Sequence, residues 1–458
     1  MEWPMMKVNL FISNFNTYRK KIFSIIAPVL FLALLLGINR LMYYLLMDDA
    51  KSYTRLSLHE MYTQEENIDV LFLGSSHCYR GVDPSVTDDI FDANTFNGGS
   101  SSQSWDGSYA ILVEAGKRNE LKKVYVEMYY GVAGEVYQER ELLTSTYLIS
   151  DYMRPSVNKV RYLVEGSSPD HWIDGFFPAR RYWQKLFSRG YVANIIASKQ
   201  TDAYKNHEYW GNPEGEIDYY AGKGYRACRE GIEDNDFSIK DGPKTVTADM
   251  FSADDKKSIQ RIIEYCEKNN IELAFFSSPM PYYYVLAAKD YGSYIDQVNQ
   301  LLKESGTPYY DFNLCKEQYF SYECSLFRDV DHLSAAGGER FSRVFAEFFT
   351  GQIAAEDLFY DSYEEKWQSM EDRVYGVNYS VTETETEKQI TFDVVQKGNV
   401  DYFVIVSKRI PGTDAYEEMC TLTSLQEVYV PLEEGRLRIE IFQDENRSSL
   451  LNRIYVKY

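Results

Sequence analysis

The feature that most restricts this chain is a long uncharged apolar run near its beginning. It reads IFSIIAPVLFLALLLGI from Ile22 to Ile38 and resumes as LMYYLLM after Asn39 and Arg40. A bilayer core requires about 20 residues of helix, so a stretch of this length is sufficient to cross it. The pattern predicts a transmembrane helix over 22–47, with a buried core helix as the alternative.

Charged residues flank this run asymmetrically. Cationic residues occupy positions 19–21 just before it, whereas Asp48 and Asp49 follow it. Because cationic flanks stay on the cytoplasmic side, we expect residues 1–21 in the cytoplasm and the bulk of the chain outside the cell. The run is longer than the apolar part of a signal peptide, and no small-residue cleavage site follows. This favours an uncleaved, single-pass signal anchor in the cell membrane.

Composition argues against nucleic acid as a partner and against a bound metal or cofactor. The chain has 458 residues and a formal net charge of −21. It has no basic excess to neutralise phosphates, so nucleic acid is not expected as a partner. The six cysteines form no CxxC pair, so the usual zinc spacings are absent, and we expect neither a metal nor a cofactor. Isolated reduced cysteines are expected, with a short Cys315–Cys324 disulfide loop as the alternative.

Apolar runs alternate with amphipathic helical patterns beyond a polar stretch at 48–66, which we interpret as a stalk. Runs such as 68–73 and 271–276 have the character of strands buried on both faces. Their alternation with helices predicts an α/β domain over 67–354 with a doubly wound parallel sheet. A ligand site is then expected at the carboxyl ends of the strands.

Two regions do not show this alternation of strands and helices. Aromatic and charged residues dominate from about 131 to 250, which predicts an insertion that caps the site. Beyond 355 the chain has short runs of β-branched and aromatic residues separated by turn signals such as Lys397-Gly398-Asn399. This pattern predicts a small β-sandwich-like domain over 355–458.

Two polar motifs lie beside the predicted sheet. The sequence GSSH at 74–77 follows the first strand, and FRDVDH at 327–332 precedes the last helix of the domain. In a doubly wound sheet both positions lie on the same edge. A serine hydroxyl needs a base within hydrogen-bond reach, and the base needs a group that orients it. The positions therefore predict that one of the two serines meets the pair formed by His332 and Asp329.

These motifs resemble blocks of the SGNH/GDSL hydrolase superfamily. The matching elements are Gly74-Ser75-Ser76, the N-x-G element at Asn97-Gly98-Gly99, and Asp329-x-x-His332. The resemblance covers about 67–129 and 252–350, and it implies a flavodoxin-like α/β/α fold that performs acyl-ester hydrolysis or acyl transfer. It also implies Ser76 as nucleophile, His332 as base and Asp329 as orienting acid. Ser75 and Asp331 are the rival nucleophile and the rival carboxylate.

The same resemblance suggests groups that contact the oxyanion or the substrate. They are Asn97, Gly99 and Ser102, which belong to or follow the N-x-G element. His77 is a further candidate, with an exposed loop histidine as the alternative. In the family an asparagine after the third strand donates to the oxyanion, but here VYVEMYYG contains none.

Together with the predicted anchor, the motifs are similar to those of extracytoplasmic SGNH-type proteins that modify cell-surface polymers, including polysaccharide O-acetyltransferases and DltD-like proteins. The resemblance implies a serine esterase or acyltransferase acting on O-acyl groups of a surface glycan or teichoic-acid-like polymer. It further implies a multi-spanning membrane acyltransferase as a partner. The alternative is a catalytically silent SGNH-like protein that binds glycan or scaffolds the cell envelope.

Overall fold

The computed structural model describes residues 9–135, 143–208, 217–233 and 235–458. The chain divides into two compact units, one of residues 1–52 and 169–208 and the other of residues 53–168 and 209–458. Residues 1–8 of the predicted cytoplasmic tail lie outside the described residues. So do the side chains of the cationic flank at 19–21 and parts of the predicted insertion.

The helices, in chain order, are α1 (Asn9–Leu46), α2 (Tyr53–Thr63), α3 (Ser76–Gly81), α4 (Pro84–Phe91), α5 (Trp105–Gly116), α6 (Leu143–Ser150), α7 (Val157–Glu165), α8 (Trp172–Phe176), α9 (Arg189–Gln200), α10 (Asp202–Lys205), α11 (Ala253–Asn269), α12 (Tyr282–Ala287), α13 (Tyr291–Leu302), α14 (Ala335–Phe349), α15 (Ala355–Leu358) and α16 (Tyr363–Ser369). The strands are β1 (Val70–Leu73), β2 (Thr95–Asn97), β3 (Lys123–Glu127), β4 (Asp218–Gly222), β5 (Tyr225–Cys228), β6 (Ser238–Lys240), β7 (Glu272–Ser277), β8 (Tyr309–Asp311), β9 (Val374–Glu383), β10 (Glu387–Gln396), β11 (Phe403–Arg409), β12 (Tyr416–Leu422), β13 (Glu427–Pro431), β14 (Arg436–Phe442) and β15 (Leu450–Lys457).

The first unit is built on α1. Within it, Ile26–Leu46 forms one stretch of 21 residues that is long and apolar enough to cross a membrane, and 6% of it is buried. The predicted N-terminal apolar helix is therefore present and ends at Leu46, one residue before the predicted boundary. A 3₁₀ helix (Pro178–Phe187) and α9 pack against α1 within this unit.

A five-stranded sheet organises the second unit, with the strand order β2-β1-β3-β7-β8. Every neighbouring pair is parallel, which confirms the predicted parallel α/β arrangement. All four residues of β1 are buried, as are the last four of β3 and of β7. Strands buried on both faces are typical of a sheet covered by helices on each side. The carboxyl ends of β1, β3 and β7 consequently lie on one edge.

Alternate residues of each strand enter two separate cores. Leu71 and Leu73 belong to the cluster formed with α5, α11 and α13, whereas Val70 and Phe72 belong to the cluster formed with α14. The period of two in a strand separates these faces. On the second face Phe345 of α14 contacts Phe72, and its ring also meets a set of aromatic neighbours: Tyr125, Phe276, Phe312, Phe341 and Phe349.

The C-terminal region is all β from Val374 onward, as the short alternating runs predict, whereas the first part of the predicted 355–458 domain contains the helices α15 and α16. It contains two four-stranded sheets, β13-β10-β9-β6 and β12-β11-β14-β15. Their facing residues share one apolar cluster that includes Val377 and Ile390 from the first sheet and Val406 and Ile439 from the second. Two sheets packed over a common core form the layered arrangement of a sandwich.

The structure differs from two further sequence-based boundaries. Residues 48–66, expected to form a polar stalk, contain α2, in which Leu56, Leu58 and Met61 are buried. These apolar residues are spaced by two and three positions and lie among polar residues, so the sequence shows no clear helical periodicity there. In addition, β6 comes from the predicted insertion and pairs in parallel with β9 of the C-terminal region. Its three residues are too few to produce an alternating pattern.

We predict that Phe345→Ala lowers the free energy of unfolding by about 3–5 kcal/mol, because it removes a fully buried ring and leaves a cavity between α14 and the sheet. Urea denaturation followed by near-ultraviolet circular dichroism measures this change. The matched control is Arg343→Ala on the exposed side of the same helix, for which we expect a change within about 0.5 kcal/mol. Equal effects of the two substitutions would contradict the assigned packing face.

Candidate active site

The turn after β1 assigns different positions to the two adjacent serines. Ser75 is the N-cap residue of α3, and its hydroxyl accepts a hydrogen bond from the backbone N–H of His77. Ser76 is the first residue of α3 and lies at the carboxyl edge of the sheet. The cap satisfies one otherwise unpaired backbone donor of the short helix. Ser75 is therefore committed to the helix cap.

Ser76 lies at one end of a chain of hydrogen bonds. Its Oγ atom lies 2.7 Å from Nε2 of His332, and the imidazole Nδ1 lies 2.9 Å from Oδ1 of Asp329. With the ring proton on Nδ1, Nε2 accepts from the serine hydroxyl while Nδ1 donates to the carboxylate. A hydroxyl, an imidazole and a carboxylate in this order form the arrangement that activates a serine.

A second carboxylate also reaches the imidazole. Oδ1 of Asp331 lies 2.7 Å from Nδ1 of His332, which is closer than the oxygen of Asp329. Only the Asp329 contact is aligned as a hydrogen bond to Nδ1, whereas the shorter Asp331 contact is an ion pair. Asp329 Oδ1 accepts hydrogen bonds from the backbone N–H groups of Asp331 and His332, so the turn folds back and brings both carboxylates to the ring.

The two carboxylates stabilise the charged imidazole. Burial lowers the pKa of His332, but the charges and hydrogen bonds of Asp331 and Asp329 outweigh this effect and raise the pKa to about 10. Burial likewise raises the pKa of Asp329, but the hydrogen bond and charge of His332 dominate and hold it below the usual range. Burial raises the pKa of Asp331. Asp329 is therefore the carboxyl that stays ionised beside the imidazolium.

His77 lies inside the site, so the alternative of an exposed loop histidine is wrong. Its ring stacks on that of His332, with 4.7 Å between the centroids, and its other neighbour is the ring of Tyr129 at 3.9 Å. Its Nε2 lies 3.6 Å from Oδ2 of Asp331 and has no hydrogen-bond partner among the described residues. Burial, followed by the charge of His332, lowers the pKa of His77 well below its usual value. The ring is therefore neutral and faces the same carboxylate as the base.

Glu127 is a buried carboxyl at the end of β3. Its Oε2 accepts from the backbone N–H of Ser75 at 2.6 Å and from the Ser75 hydroxyl at 2.7 Å. A Cβ atom on Gly74 would lie 2.5 Å from the Cβ of Glu127, so only glycine fits at this position. Burial raises the pKa of Glu127 to about 7, and hydrogen bonds from Ser75 partly offset it. An acidic residue at the end of an otherwise apolar strand was the available signal.

The structure gives Asn97 and Gly99 a different role from the one that the resemblance implies. The Asn97 side chain is fully buried and donates to the carbonyl oxygens of Cys78 and Val82. Its Oδ1 accepts from the backbone N–H of Gly99 at 3.0 Å. Asn97 therefore holds the loop together, and the Gly99 donor is already used. Ser102 adopts a left-handed φ of 47°, and no hydrogen bond joins it to the described residues of the site.

One group of side chains in the described part of the chain has the donors to hold a metal ion. Ligand atoms of His77, Asp331 and His332 lie within 4.8 Å of one another. His332 already uses both ring nitrogens, one toward Ser76 and one toward the carboxylates. A metal on this ring would therefore replace one of those hydrogen bonds.

Comparison with known proteins places the chain in no family. No protein-family profile matches it, and no curated protein matches it. Two of the solved structures to which this chain is similar align with very low scores. β-Glucosidase 3B from Thermotoga neapolitana is 11% identical over 89% of this chain and 87% of that chain, with a TM-score of 0.13. An endo-β-1,4-mannanase double mutant from Cellulomonas fimi is 10% identical over 90% and 99%, with a TM-score of 0.14. Scores this low carry no argument about fold or activity.

We predict that Glu127 makes the stability of the protein depend on pH. Its pKa is raised from about 4.5 to about 7 in the folded state, so the folded carboxyl holds its proton more tightly than the unfolded one. Stability from this group is greatest below pH 4.5 and falls as the pH rises to 7, by about 3 kcal/mol.

Glu127→Gln keeps an oxygen for Ser75 but cannot ionise. We therefore expect its advantage over the wild type in unfolding free energy to grow between pH 4.5 and 7. Urea denaturation of both proteins at a series of pH values measures the difference. A difference that stays constant across this range would show that Glu127 does not titrate as described.

Proposed function

We propose that this chain is a membrane-anchored, extracytoplasmic SGNH-type serine esterase or acyltransferase. The observation that carries the proposal is the hydrogen bond of 2.7 Å between Ser76 Oγ and His332 Nε2, with carboxylates on the opposite ring nitrogen. The proposed substrates are O-acyl groups of a cell-surface glycan or teichoic-acid-like polymer, by analogy with proteins that carry similar motifs.

The fold supports the family assignment. The strand order β2-β1-β3-β7-β8 corresponds to 2-1-3-4-5 within the sheet, the order of flavodoxin-like folds. Ser76 follows the first of these strands in the chain, and His332 lies just before α14, the helix that covers one face of the sheet. This placement agrees with that of blocks I and V in the SGNH superfamily.

The geometry supports covalent catalysis in two steps. Ser76 Oγ forms a bond to the acyl carbonyl carbon while its proton passes to Nε2 of His332. The ester C–O bond then breaks, and His332 returns the proton to the departing alcohol oxygen. In the second step water or an acceptor hydroxyl attacks the acyl carbon and gives its proton to His332; the acyl C–O bond to Ser76 then breaks, and His332 returns the proton to Ser76 Oγ. Asp329 orients the ring and stabilises the imidazolium in both steps.

The oxyanion site has fewer donors than the family pattern. The backbone N–H of Ser76, at the first position of α3, lacks a partner within the helix. The Gly99 N–H donates to Asn97, and no asparagine follows β3. Losing one oxyanion donor costs about 10²–10³ in rate. We therefore expect slow turnover unless the polymer or a partner protein completes the site.

The anchor supports the proposed location. The stretch Ile26–Leu46 has the length and composition of a single membrane span. The cationic residues at 19–21 before it favour a cytoplasmic N-terminus and an extracellular catalytic unit. A multi-spanning acyltransferase is the proposed partner, because acyl groups for an extracytoplasmic reaction must first cross the bilayer.

We predict that a serine-directed fluorophosphonate probe labels the full-length protein at Ser76. Ser76→Ala removes the nucleophile and His332→Ala removes its base, so each is expected to lower the labelling rate by at least about 10³-fold. Gel fluorescence and peptide mass spectrometry measure the rate and the site. Ser75→Ala is the matched control and retains the label. Labelling that survives Ser76→Ala and disappears in Ser75→Ala would assign the nucleophile to Ser75.

We also predict that the labelling rate rises with pH, because only the neutral imidazole accepts the serine proton. Burial lowers the pKa of His332, but Asp331 and Asp329 raise it to about 10, so the rise should be centred in the alkaline range. Asp331→Asn removes a charge that raises this pKa and should move the rise to lower pH. Asp361→Asn, an exposed control, should leave the profile unchanged. A common midpoint for all three proteins would contradict this electrostatic assignment.

The depleted oxyanion site favours a second candidate, a catalytically silent SGNH-like protein that binds glycan or scaffolds the cell envelope. This candidate requires that the purified full chain binds surface polysaccharide but releases no acyl groups. It also requires that Ser76→Ala leaves the acyl content of surface polymers unchanged in cells. A fall in acyl transfer or release on Ser76→Ala would eliminate it.

A further inference from the structure

One segment of the first unit exposes an unusual density of large apolar side chains. Residues 182–190 are all exposed, and the relative exposure of Phe187 is 77% and that of Trp183 is 53%. Other large apolar side chains exposed between residues 172 and 191 are Ile173, Phe176, Tyr182 and Leu186. We name residues 172–191 the aromatic segment. Contiguous apolar patches of this kind mark a surface that another phase or molecule covers.

The charge of the aromatic segment differs from that of the whole chain. It contains four cationic residues (Arg180, Arg181, Lys185 and Arg189) and one acidic residue (Asp174), whereas the chain carries a formal net charge of −21. Arg180, Lys185 and Arg189 are exposed beside the aromatic residues. Aromatic rings mixed with lysine and arginine are typical of segments that lie at a membrane surface.

Hydrogen bonds hold the aromatic segment at the end of the apolar helix. The hydroxyl of Tyr191 donates to the carbonyl oxygen of Leu46 at 2.8 Å. Lys199 of α9 forms a buried ion pair with Asp49 at 3.1 Å and donates to the carbonyl oxygen of Tyr43. These contacts fix the segment relative to α1 within the unit.

The length of the apolar helix indicates at which depth in a bilayer each of its residues would lie. The 21 residues of Ile26–Leu46 rise by about 31 Å at about 1.5 Å each, which matches the thickness of a bilayer core. In a membrane-spanning orientation, Leu46 therefore lies at the outer boundary of the hydrocarbon. The contact between Tyr191 and Leu46 places the end of the aromatic segment at the same level.

The packing extends below this boundary. Among the described residues of α1, Leu35, Asn39, Met42 and Tyr43 are partly covered and share one helical face, and Leu45 is partly covered beside it. The 3₁₀ helix and α9 pack against α1. Asn39 lies seven residues before Leu46, so the cover descends by about 10 Å into the apolar span. Because these elements pack beside a part of α1 that lies in the hydrocarbon in a membrane-spanning orientation, they lie at the same depth.

We propose that the aromatic segment inserts into the outer leaflet, with its rings among the lipid headgroups and upper acyl chains and its cationic groups on the phosphates. This inference rests on the proposed membrane anchorage through α1. Phospholipid is the occupant because the patch continues the lipid-facing surface of the helix and carries the positive charge that phosphates attract.

The test measures lipid contact at Phe187 in the full-length protein. Phe187→Cys, in a Cys420→Ser background that removes the exposed thiol, carries an environment-sensitive nitrobenzoxadiazole label. The protein is reconstituted as a single copy in nanodiscs of phosphatidylcholine and phosphatidylglycerol. Nitroxides on the lipid headgroup or upper acyl chain are expected to quench roughly half of the emission or more, as for an interfacial residue.

Two further labelling sites serve as matched controls. Val157→Cys lies in the second unit and is 87% exposed, so it reports the quenching of an exposed label outside the first unit. Leu36→Cys lies within the apolar span of α1 and should be quenched by acyl-chain nitroxides.

Quenching at 187 and 36 but not at 157 supports the proposal. Quenching at 36 alone overturns the proposal but leaves the membrane anchor intact. This holds whether the label at 187 is then accessible to aqueous iodide or shielded by protein. No quenching at 36 refutes the anchor itself and this inference with it. Fluorophosphonate labelling of each variant reports separately on the catalytic proposal.

Discussion

The candidate site depends on a hydrogen bond between two side chains that are 256 positions apart, Ser76 and His332. Ser76 has a defined position because β1 ends at the sheet edge and Ser75 caps the following helix. His332 has a defined position because Asp329 accepts from the backbone of the turn before α14. The parallel sheet and the aromatic face of α14 bring these two local structures together, so the geometry of the site is a consequence of core packing.

The groups around this hydrogen bond shift each other's protonation. Burial raises the pKa of Glu127 and lowers that of His77, whereas two carboxylates raise the pKa of His332. Groups this close titrate as a cluster rather than one by one. A buried carboxyl beneath the serine turn costs stability at neutral pH, and sites that violate the rules of core packing in this way are commonly functional.

A polar contact between residues distant in the sequence also organises the first unit. The ion pair between Asp49 and Lys199 is buried and joins residues from distant parts of the sequence. Tyr43 and Tyr204 donate to the same carboxylate, and the ammonium also lies over the Tyr43 ring. Removing one partner of such a pair leaves an uncompensated charge, so the pair favours one arrangement of the unit over alternatives. Polar contacts therefore hold in place a segment that exposes large apolar side chains beside cationic ones.

The sequence alone determined the apolar helix, the parallel α/β sheet and the all-β C-terminal region, because burial patterns repeat locally with the period of each element. The strand and helix order also predicted that one of the two serines meets His332 and Asp329, and the family resemblance implied that this serine is Ser76. Only the tertiary structure showed that Asp331 also reaches the imidazole, that Glu127 supports Ser75, and that Asn97 and Gly99 hold each other. Those contacts depend on distances between elements, which are set by packing and leave no periodic trace in the chain.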